Sequence, residues 1–122
     1  MTTSLMTGRR VGSTTVQPVP RPSAVVWING RGAVVARMDA DGVVLTCSID
    51  RGLDSEAEFL RVVVRAIGDR ERVLILGPSS ERLALEREYV AIYQRPDRLI
   101  DVEPAGPVDE AQLVDRVRQL AG

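Results

Sequence analysis

The chain has 122 residues, enough for one domain whose core can fold without disulfides or metals. All 16 basic residues are Arg, and the formal net charge of −1 argues against a protein that binds nucleic acid through bulk electrostatic attraction. Because the sequence has no His, a Ser–His or Cys–His catalytic pair and a His-ligated zinc ion are excluded.

Residues 1–22 are rich in Ser, Thr, Gly and Pro and show no periodic apolar pattern. The alternating prolines Pro18, Pro20 and Pro22 favour an extended segment without regular pairing. Since this segment carries three arginines and no acid, we expect a disordered basic tail before a single domain over residues 23–122. Two interpretations stay open: a solvated leader (or a start codon assigned too far upstream), and a short arm that touches phosphate.

The sequence shows no segment for membrane insertion or secretion. No apolar run approaches the roughly 18 residues that a membrane span needs. No apolar stretch follows Arg9 and Arg10, as it would in a secretory signal. The single cysteine, Cys47, excludes an internal disulfide and fits a reducing compartment. We therefore expect a cytoplasmic protein without membrane association.

Three short strands follow the tail. They are predicted over residues 24–28, 33–39 and 43–49, joined by turns at 29–32 and 39–42. The turns contain Asn-Gly and Asp-Gly pairs, which supply the positive φ of tight hairpins. The pattern predicts an antiparallel meander.

Two side chains of this meander are expected to pack in the core. Cys47 lies in an apolar strand pattern, which favours a buried small side chain over a nucleophile. Trp27 stands among valines, and core packing is favoured over an exposed stacking role.

The apolar spacing then changes to that of helices alternating with strands. A first helix begins after an N-cap at Asp54 or Ser55 and ends at Gly68. Its expected inner residues are Phe59, Leu60, Val63 and Ile67. A continuous apolar run over 72–76 predicts a strand that is covered on both faces.

The pattern continues with a second helix over about 79–94, a strand over 98–103 and a third helix over 108–121. The expected inner residues of these helices are Leu85, Tyr89 and Ile92, and then Leu113, Val114, Val117 and Leu120. The order βββαβαβα predicts an α/β fold, a two-layer or three-layer sandwich around a mixed five-stranded sheet.

The turn between the fourth strand and the second helix is the strongest local feature. Residues Gly77, Pro78, Ser79, Ser80 and Arg82 form a strand-to-helix turn, where free backbone N–H groups and the helix dipole can hold an anion. It lacks the Gly-Lys-Ser/Thr of a P-loop and the Gly-x-Gly-x-x-Gly dinucleotide pattern. A purely structural interpretation, with Ser79 as the helix N-cap and Arg82 solvated, is favoured.

The carboxylates form no persuasive catalytic pair. Asp101 and Glu103 alternate on the fifth strand beside Arg98, where a surface charge ladder is favoured over a catalytic dyad. With these groups and no His, we expect no catalysis, no cofactor and no metal site.

Four segments resemble a known family. They are 24–28 (AVVWI), 73–78 (VLILGP), 98–103 (RLIDVE) and 109–114 (DEAQLV). In order and spacing they resemble bacterial proteins related to the third domain of archaeal and eukaryotic peptide-chain release factors and Pelota. The resemblance implies an α/β sandwich similar to the kink-turn-binding ribosomal proteins. The Gly-Gly-Gln motif of release factors is absent, so peptidyl-tRNA hydrolysis is not implied.

The resemblance implies a non-catalytic module that docks on a ribosome, RNA or a translation factor. A second hypothesis is a domain that holds an anionic small molecule at the Gly77–Arg82 turn, and a third is a homodimerising interaction protein. The candidate ligand- or partner-binding residues are Gly77, Pro78, Ser79, Ser80, Arg82, Asn29 and Arg31. A contiguous patch of Arg31, Arg82 and Arg95 would favour RNA, whereas scattered charge would favour a protein partner.

Overall fold

The computed structural model describes residues 19–122, so the first eighteen residues of the predicted tail lie outside the described chain. Five strands and three α-helices follow in the predicted order βββαβαβα. They are β1 (Ser23–Ile28), β2 (Gly32–Met38), β3 (Val44–Asp50), α1 (Glu56–Ile67), β4 (Arg72–Gly77), α2 (Glu81–Tyr93), β5 (Leu99–Pro104) and α3 (Glu110–Ala121). Within residues 19–122, no helix is both long and apolar enough to cross a membrane.

The strands form one mixed sheet in the order β3-β2-β1-β4-β5. The first three strands are the antiparallel meander, whereas β1, β4 and β5 run parallel to one another. Side chains of α1 and α2 pack on one face of the sheet, and those of α3 pack on the other. The predicted α/β sandwich with a mixed five-stranded sheet is confirmed, in its three-layer form.

Local sequence signals define the helix ends. Ser55 caps α1, and its hydroxyl accepts a hydrogen bond from the backbone N–H of Glu58 while the Glu58 carboxylate accepts from the N–H of Ser55. Asp109 and Gln112 form the same reciprocal arrangement at α3. Gly68 ends α1 with a φ of 75°. The ends of α1 agree with the sequence prediction, because these caps depend on neighbours in sequence. The cap at Asp109 is not part of that prediction, which begins the third helix at residue 108.

Strand β4 is the centre of the core. Val73 and Ile75 pack against α1 and α2, and Leu74 and Leu76 pack against α3. All four side chains are buried, which confirms the prediction from the continuous apolar run.

The prediction that Cys47 is buried is wrong. The thiol is exposed because β3 is an edge strand, over which the helices extend only partly. Cys47 alternates with Leu45 and Ile49 on the α1 side of the strand, but only Ile49 packs against the core. A pattern of alternating apolar residues does not distinguish an edge strand from a central one.

The inner face of α2 also differs from the prediction. Ile92 is 45% exposed, whereas Leu85 and Tyr89 are buried as expected. Tyr93 takes the third inner position because it lies four residues after Tyr89, and the two rings pack with centroids 4.8 Å apart.

The first turn is built differently from the predicted Asn-Gly hairpin. Gly30 does not have a positive φ. Instead, the side-chain oxygen of Asn29 accepts from the N–H groups of Arg31 and Gly32, at 2.9 and 3.0 Å. The Asn side chain therefore makes the turn that positive φ would otherwise make. At the second turn, Gly42 has the expected positive φ, 81°.

The charge ladder on β5 has a different cation from the one predicted. Arg98 pairs with Asp69 instead of the β5 carboxylates. Glu103 pairs with Arg116 of α3 at 3.3 Å. Arg98 lies in a 3₁₀ turn before β5, at the opposite end of the strand from Glu103.

Arg21 and Pro22, which the sequence pattern assigns to the disordered tail, pair with the domain. The backbone N–H of Arg21 donates to Ala121, and that of Glu71 donates to Pro22. Trp27 is half-buried against the α3 side of the core, and its indole N–H donates to the carbonyl of Gly106 at 2.9 Å. These contacts connect the start of β1 to α3 and to the loop before β4, and they connect the end of β1 to the loop before α3.

Gly77 is required by the close approach of β4 to β1, and this gives a test of the fold. A Cβ atom at Gly77 would lie closer than 3.0 Å to the carbonyl oxygen of Ile28. We expect Gly77→Ala to lower the free energy of unfolding by about 1–3 kcal/mol, since β1 and β4 would have to separate. Urea unfolding followed by circular dichroism measures this.

The matched control is Gly106→Ala, because a Cβ atom there would meet nothing within 4 Å. We expect its free energy of unfolding to stay within about 0.5 kcal/mol of the parent. Equal stability of the two variants would contradict the close approach.

Candidate functional site

Four loops meet at one edge of the sheet, where β1, β4 and β5 end. We call this the carboxyl edge; it comprises residues 29–31, 51–55, 78–80 and 105–109. All three α-helices begin there, because each follows a strand that ends at this edge. Open α/β sheets usually bind ligands at such an edge.

The sheet contains the strand reversal at which this architecture usually binds ligands. The chain leaves β1 toward β2 and leaves β4 toward β5, so the strand order reverses between β1 and β4. At that point Gly77 approaches the Ile28 carbonyl so closely that a Cβ atom would not fit. Any binding surface at the carboxyl edge is therefore formed by the loops above the sheet.

The predicted N-cap of α2 is one residue out of position. Ser80 is the N-cap, with αR backbone angles and no capping hydrogen bond from its side chain. The hydroxyl of Ser79 donates to the carboxylate of Glu81 instead. Ser79 still takes part in the turn, since its carbonyl accepts from the N–H of Arg82 at 3.3 Å.

Glu81 places a negative charge at the N-terminus of α2. Besides its bond with Ser79, its carboxylate lies 3.5 Å from the Cβ position of Gly30, so it stands between two loops of the carboxyl edge. An acid in the first turn interacts favourably with the helix dipole. An anionic ligand at this turn would meet a like charge, which disfavours the small-molecule anion hypothesis.

Arg82 folds back on the turn and is half-buried, whereas the sequence predicted a solvated side chain. Its Nη1 donates to the carbonyl of Ser79 at 2.7 Å. Its Nε is buried and has no hydrogen-bond partner within residues 19–122. Arg82 thus stabilises the turn by a hydrogen bond to its backbone.

Arg51 fixes the loop between β3 and α1. Its guanidinium donates to the carbonyls of Asp54, at 3.0 Å, and Gly30, at 3.3 Å. Its backbone N–H donates to the carbonyl of Arg31 at 2.9 Å. These bonds join residues 51–54 to the Asn29 turn, so the two loops form one surface.

The most exposed apolar side chain of this surface is Leu53. It is fully exposed, at 106% of the reference value. It lines a hollow of about 410 Å³ together with Arg31 and Arg51. Sequence reasoning missed Leu53 and Arg51; the available signal was a leucine between Gly52 and Asp54, in a turn where polar residues are usual.

A second hollow lies beside the Asn29 turn, with a volume of about 320 Å³. Its lining is mostly apolar and includes Trp27, Val34 and Ile49, with Asn29 and Arg31 at the rim. Leu53 and this hollow give the carboxyl edge two apolar features on either side of Arg31.

Within residues 19–122, the three arginines Arg31, Arg82 and Arg95 form no contiguous patch. Arg82 and Arg95 lie at opposite ends of α2, about 20 Å apart by the helical rise. All 17 acids but only 14 of the 16 arginines fall within residues 19–122, which gives that part a formal charge of −3. Phosphate binding usually requires clustered positive charge.

Two titratable groups have shifted pKa values with structural causes. The pKa of Glu58 is lowered, first by the hydrogen bond from the Ser55 backbone and then by the Ser55 hydroxyl. Burial raises the pKa of Tyr89, whose hydroxyl donates to Gly68 and accepts from the N–H of Arg70. Within residues 19–122, no group of three Cys, Asp or Glu residues could hold a metal ion.

Comparisons with known proteins extend the fold assignment. No protein-family model and no curated protein sequence matches the chain. Among solved structures, Pelota of Archaeoglobus fulgidus is similar over 83% of the chain, with a TM-score of 0.62 and 15% identity. Pelota of Thermoplasma acidophilum is similar over 81%, with a TM-score of 0.58 and 21% identity.

The chain spans 32% of the length of each of these Pelota chains. The expected Pelota-like fold is therefore confirmed, for a part of Pelota. At these identities the likeness concerns the fold alone.

The charge of Glu81 can be tested directly. We expect Glu81→Gln to bind inorganic phosphate about two- to fivefold more tightly than the parent, since a like charge leaves the helix N-terminus. Thermal unfolding at increasing phosphate concentration measures the difference. Glu86→Gln, on the same helix beyond its first turn, is the control and should behave as the parent does. Strong stabilisation of the parent by phosphate, unchanged by Glu81→Gln, would contradict this interpretation.

Proposed function

We propose that the domain is a non-catalytic binding module of the translation apparatus, which docks on the ribosome or a translation factor. The observation that carries this proposal is the likeness of its fold to Pelota over more than four fifths of the chain. Because the chain covers about a third of the Pelota chains, it has the size of one domain. From the segments 24–28, 73–78, 98–103 and 109–114 we assign it to the third domain of Pelota and the release factors.

The proposed contact surface is the carboxyl edge. Leu53 is a fully exposed apolar side chain on a loop that Arg51 fixes by three hydrogen bonds. Binding loses little conformational entropy when such an anchor is already held in place. The predicted residues Asn29 and Arg31 lie beside it, and Pro78, Ser79 and Ser80 form the next loop of the same edge.

A protein partner fits this edge better than RNA does. Glu81, Asp50 and Asp54 lie among its arginines, and Arg51 and Arg82 are used in hydrogen bonds within the domain. RNA recognition would require free arginines or stacked aromatic rings. A mixed surface with an exposed leucine is typical of a protein contact.

The proposal assigns the domain no reaction. The sequence lacks His, and Cys47 lies in the middle of β3, away from the carboxyl edge. The shifted pKa of Glu58 follows from its role as a helix cap. A binding role in translation would place the protein in the cytoplasm.

Co-sedimentation with ribosomes of the source organism tests the proposal. We expect the full chain to pellet with ribosomes, and Leu53→Asp to weaken the association by about tenfold or more, as expected for loss of a central apolar anchor. We expect little change between about 50 and 200 mM salt, because few phosphate contacts are formed.

The matched control is Ile100→Asp, the same aliphatic-to-acid change on strand β5, where Ile100 is 52% exposed. It should pellet as the parent does. A parent chain that stays in the supernatant under all conditions would overturn the role in translation. Equal loss in both variants would overturn the assignment of the carboxyl edge.

A further inference from the structure

The two edges of the sheet differ in how they are protected from pairing with another strand. Strand β5 carries Asp101 and Glu103, ends at Pro104, and pairs with β4 through a register shift. Charges, proline and irregular pairing are the features that prevent edge-to-edge association. Strand β5 is therefore a protected edge.

Strand β3 has only one of these features, a charge at its last residue, Asp50. Residues 43–49 contain no charge and no proline, and the pairing of β3 with β2 is continuous over seven residues. The strand is exposed on both faces for most of its length, and Leu45 is 50% exposed. Within residues 19–122, no strand lies on its outer side. A row of backbone donors and acceptors is thus available to a further strand.

The sequence of β3 is self-complementary about its central residue. Cys47 is flanked by the hydroxyl residues Thr46 and Ser48, and beyond them by the aliphatic residues Leu45 and Ile49. Gly42 and Gly52, both with positive φ, stand five residues to either side of Cys47. These features repeat symmetrically on the two sides of one residue.

A two-fold axis through Cys47 would match these side chains in an antiparallel pair. Leu45 would lie opposite Ile49 of the second copy, Thr46 opposite Ser48, and Cys47 opposite its own copy. Aliphatic pairs of this kind stabilise neighbouring strands.

The Thr46 hydroxyl already donates to Glu110 of α3, so Ser48 of the second copy would lie beside that hydrogen bond. Asp50 would lie opposite Val44, so no like charges would face each other across residues 44–50. A two-fold arrangement is also the commonest form of homodimer.

We propose that the occupant of the β3 edge is a second copy of this chain, paired antiparallel about Cys47 so that two five-stranded sheets become one. The proposal is independent of the role in translation, since β3 and the Leu53 loop are tested by different variants. The dimer leaves Leu53 beyond the ends of the joined strands, whereas the second hollow, beside the Asn29 turn, adjoins them because Ser48, Ile49 and Asp50 line it.

The mass in solution and a pair of double variants test the dimer and its register. Light scattering on the full chain should give about twice the 13.3 kDa of one chain. Thr46→Lys with Ser48→Lys places cations opposite each other and should give monomers. Thr46→Lys with Ser48→Glu places each cation opposite an anion and should give dimers. Equal mass of the two double variants would overturn the register.

Oxidation provides a second measurement. Diamide takes two hydrogen atoms from two thiols, which form a disulfide while the diamide is reduced to its hydrazine. Residues directly opposite in an antiparallel pair have Cα atoms about 4.5–5.5 Å apart, within the range a disulfide spans. The parent should form covalent dimers at least about tenfold faster than a variant with Cys47→Ser and Ile100→Cys, whose thiol would lie on the β5 edge.

Other occupants are distinguished by the same experiments. A monomeric mass for the full chain would overturn the proposal. If removal of residues 1–18 then allowed dimers to form, the occupant of the β3 edge would be the N-terminal segment of the same chain. A dimer that persists with Thr46→Lys and Ser48→Lys, but is lost with Ile100→Lys, would place the interface on β5 and also overturn the proposal.

Discussion

The close approach of β4 to β1 is the constraint on which the rest of the structure depends. The two strands are parallel neighbours at the centre of the sheet, and Gly77 lies against the Ile28 carbonyl where they end. Their side chains contribute to both cores, one under α1 and α2 and one under α3. A larger residue at position 77 would separate the strands and disturb both cores at the place from which the Asn29 and Pro78 loops project.

The same place in the sheet is where a ligand would be expected. Many α/β sheets hold a ligand outside the strand ends where the strand order reverses, but here the Glu81 carboxylate stands between the loops that leave β1 and β4. The carboxyl edge is therefore a surface of short loops. Arg51 and Arg82 hold these loops in place by hydrogen bonds, and the Glu81 carboxylate offsets part of their positive charge. Such a surface, with a fully exposed leucine among mixed charges, is suited to contact another macromolecule.

The sequence predicts the fold well and the site only in part. The start of α1 after Ser55, its end at Gly68 and the buried run of β4 are encoded by nearby residues, and the structure confirms them. Cys47 and Ile92 were placed wrongly, because their exposure depends on which strand is at the edge and on how α2 rotates against α1. The roles of Leu53, Arg51 and Glu81 depend on loops far apart in sequence, so no local pattern predicts them.

The central claim, that the carboxyl edge binds a component of the translation apparatus, is tested most directly by photo-crosslinking in cells. A benzophenone amino acid would replace Leu53 in one variant and the exposed Arg95, at the other end of α2, in a second. We expect position 53 to crosslink to a ribosomal protein or translation factor, identified by mass spectrometry, and position 95 not to do so. Capture of ribosomal components from position 95 alone would contradict this claim.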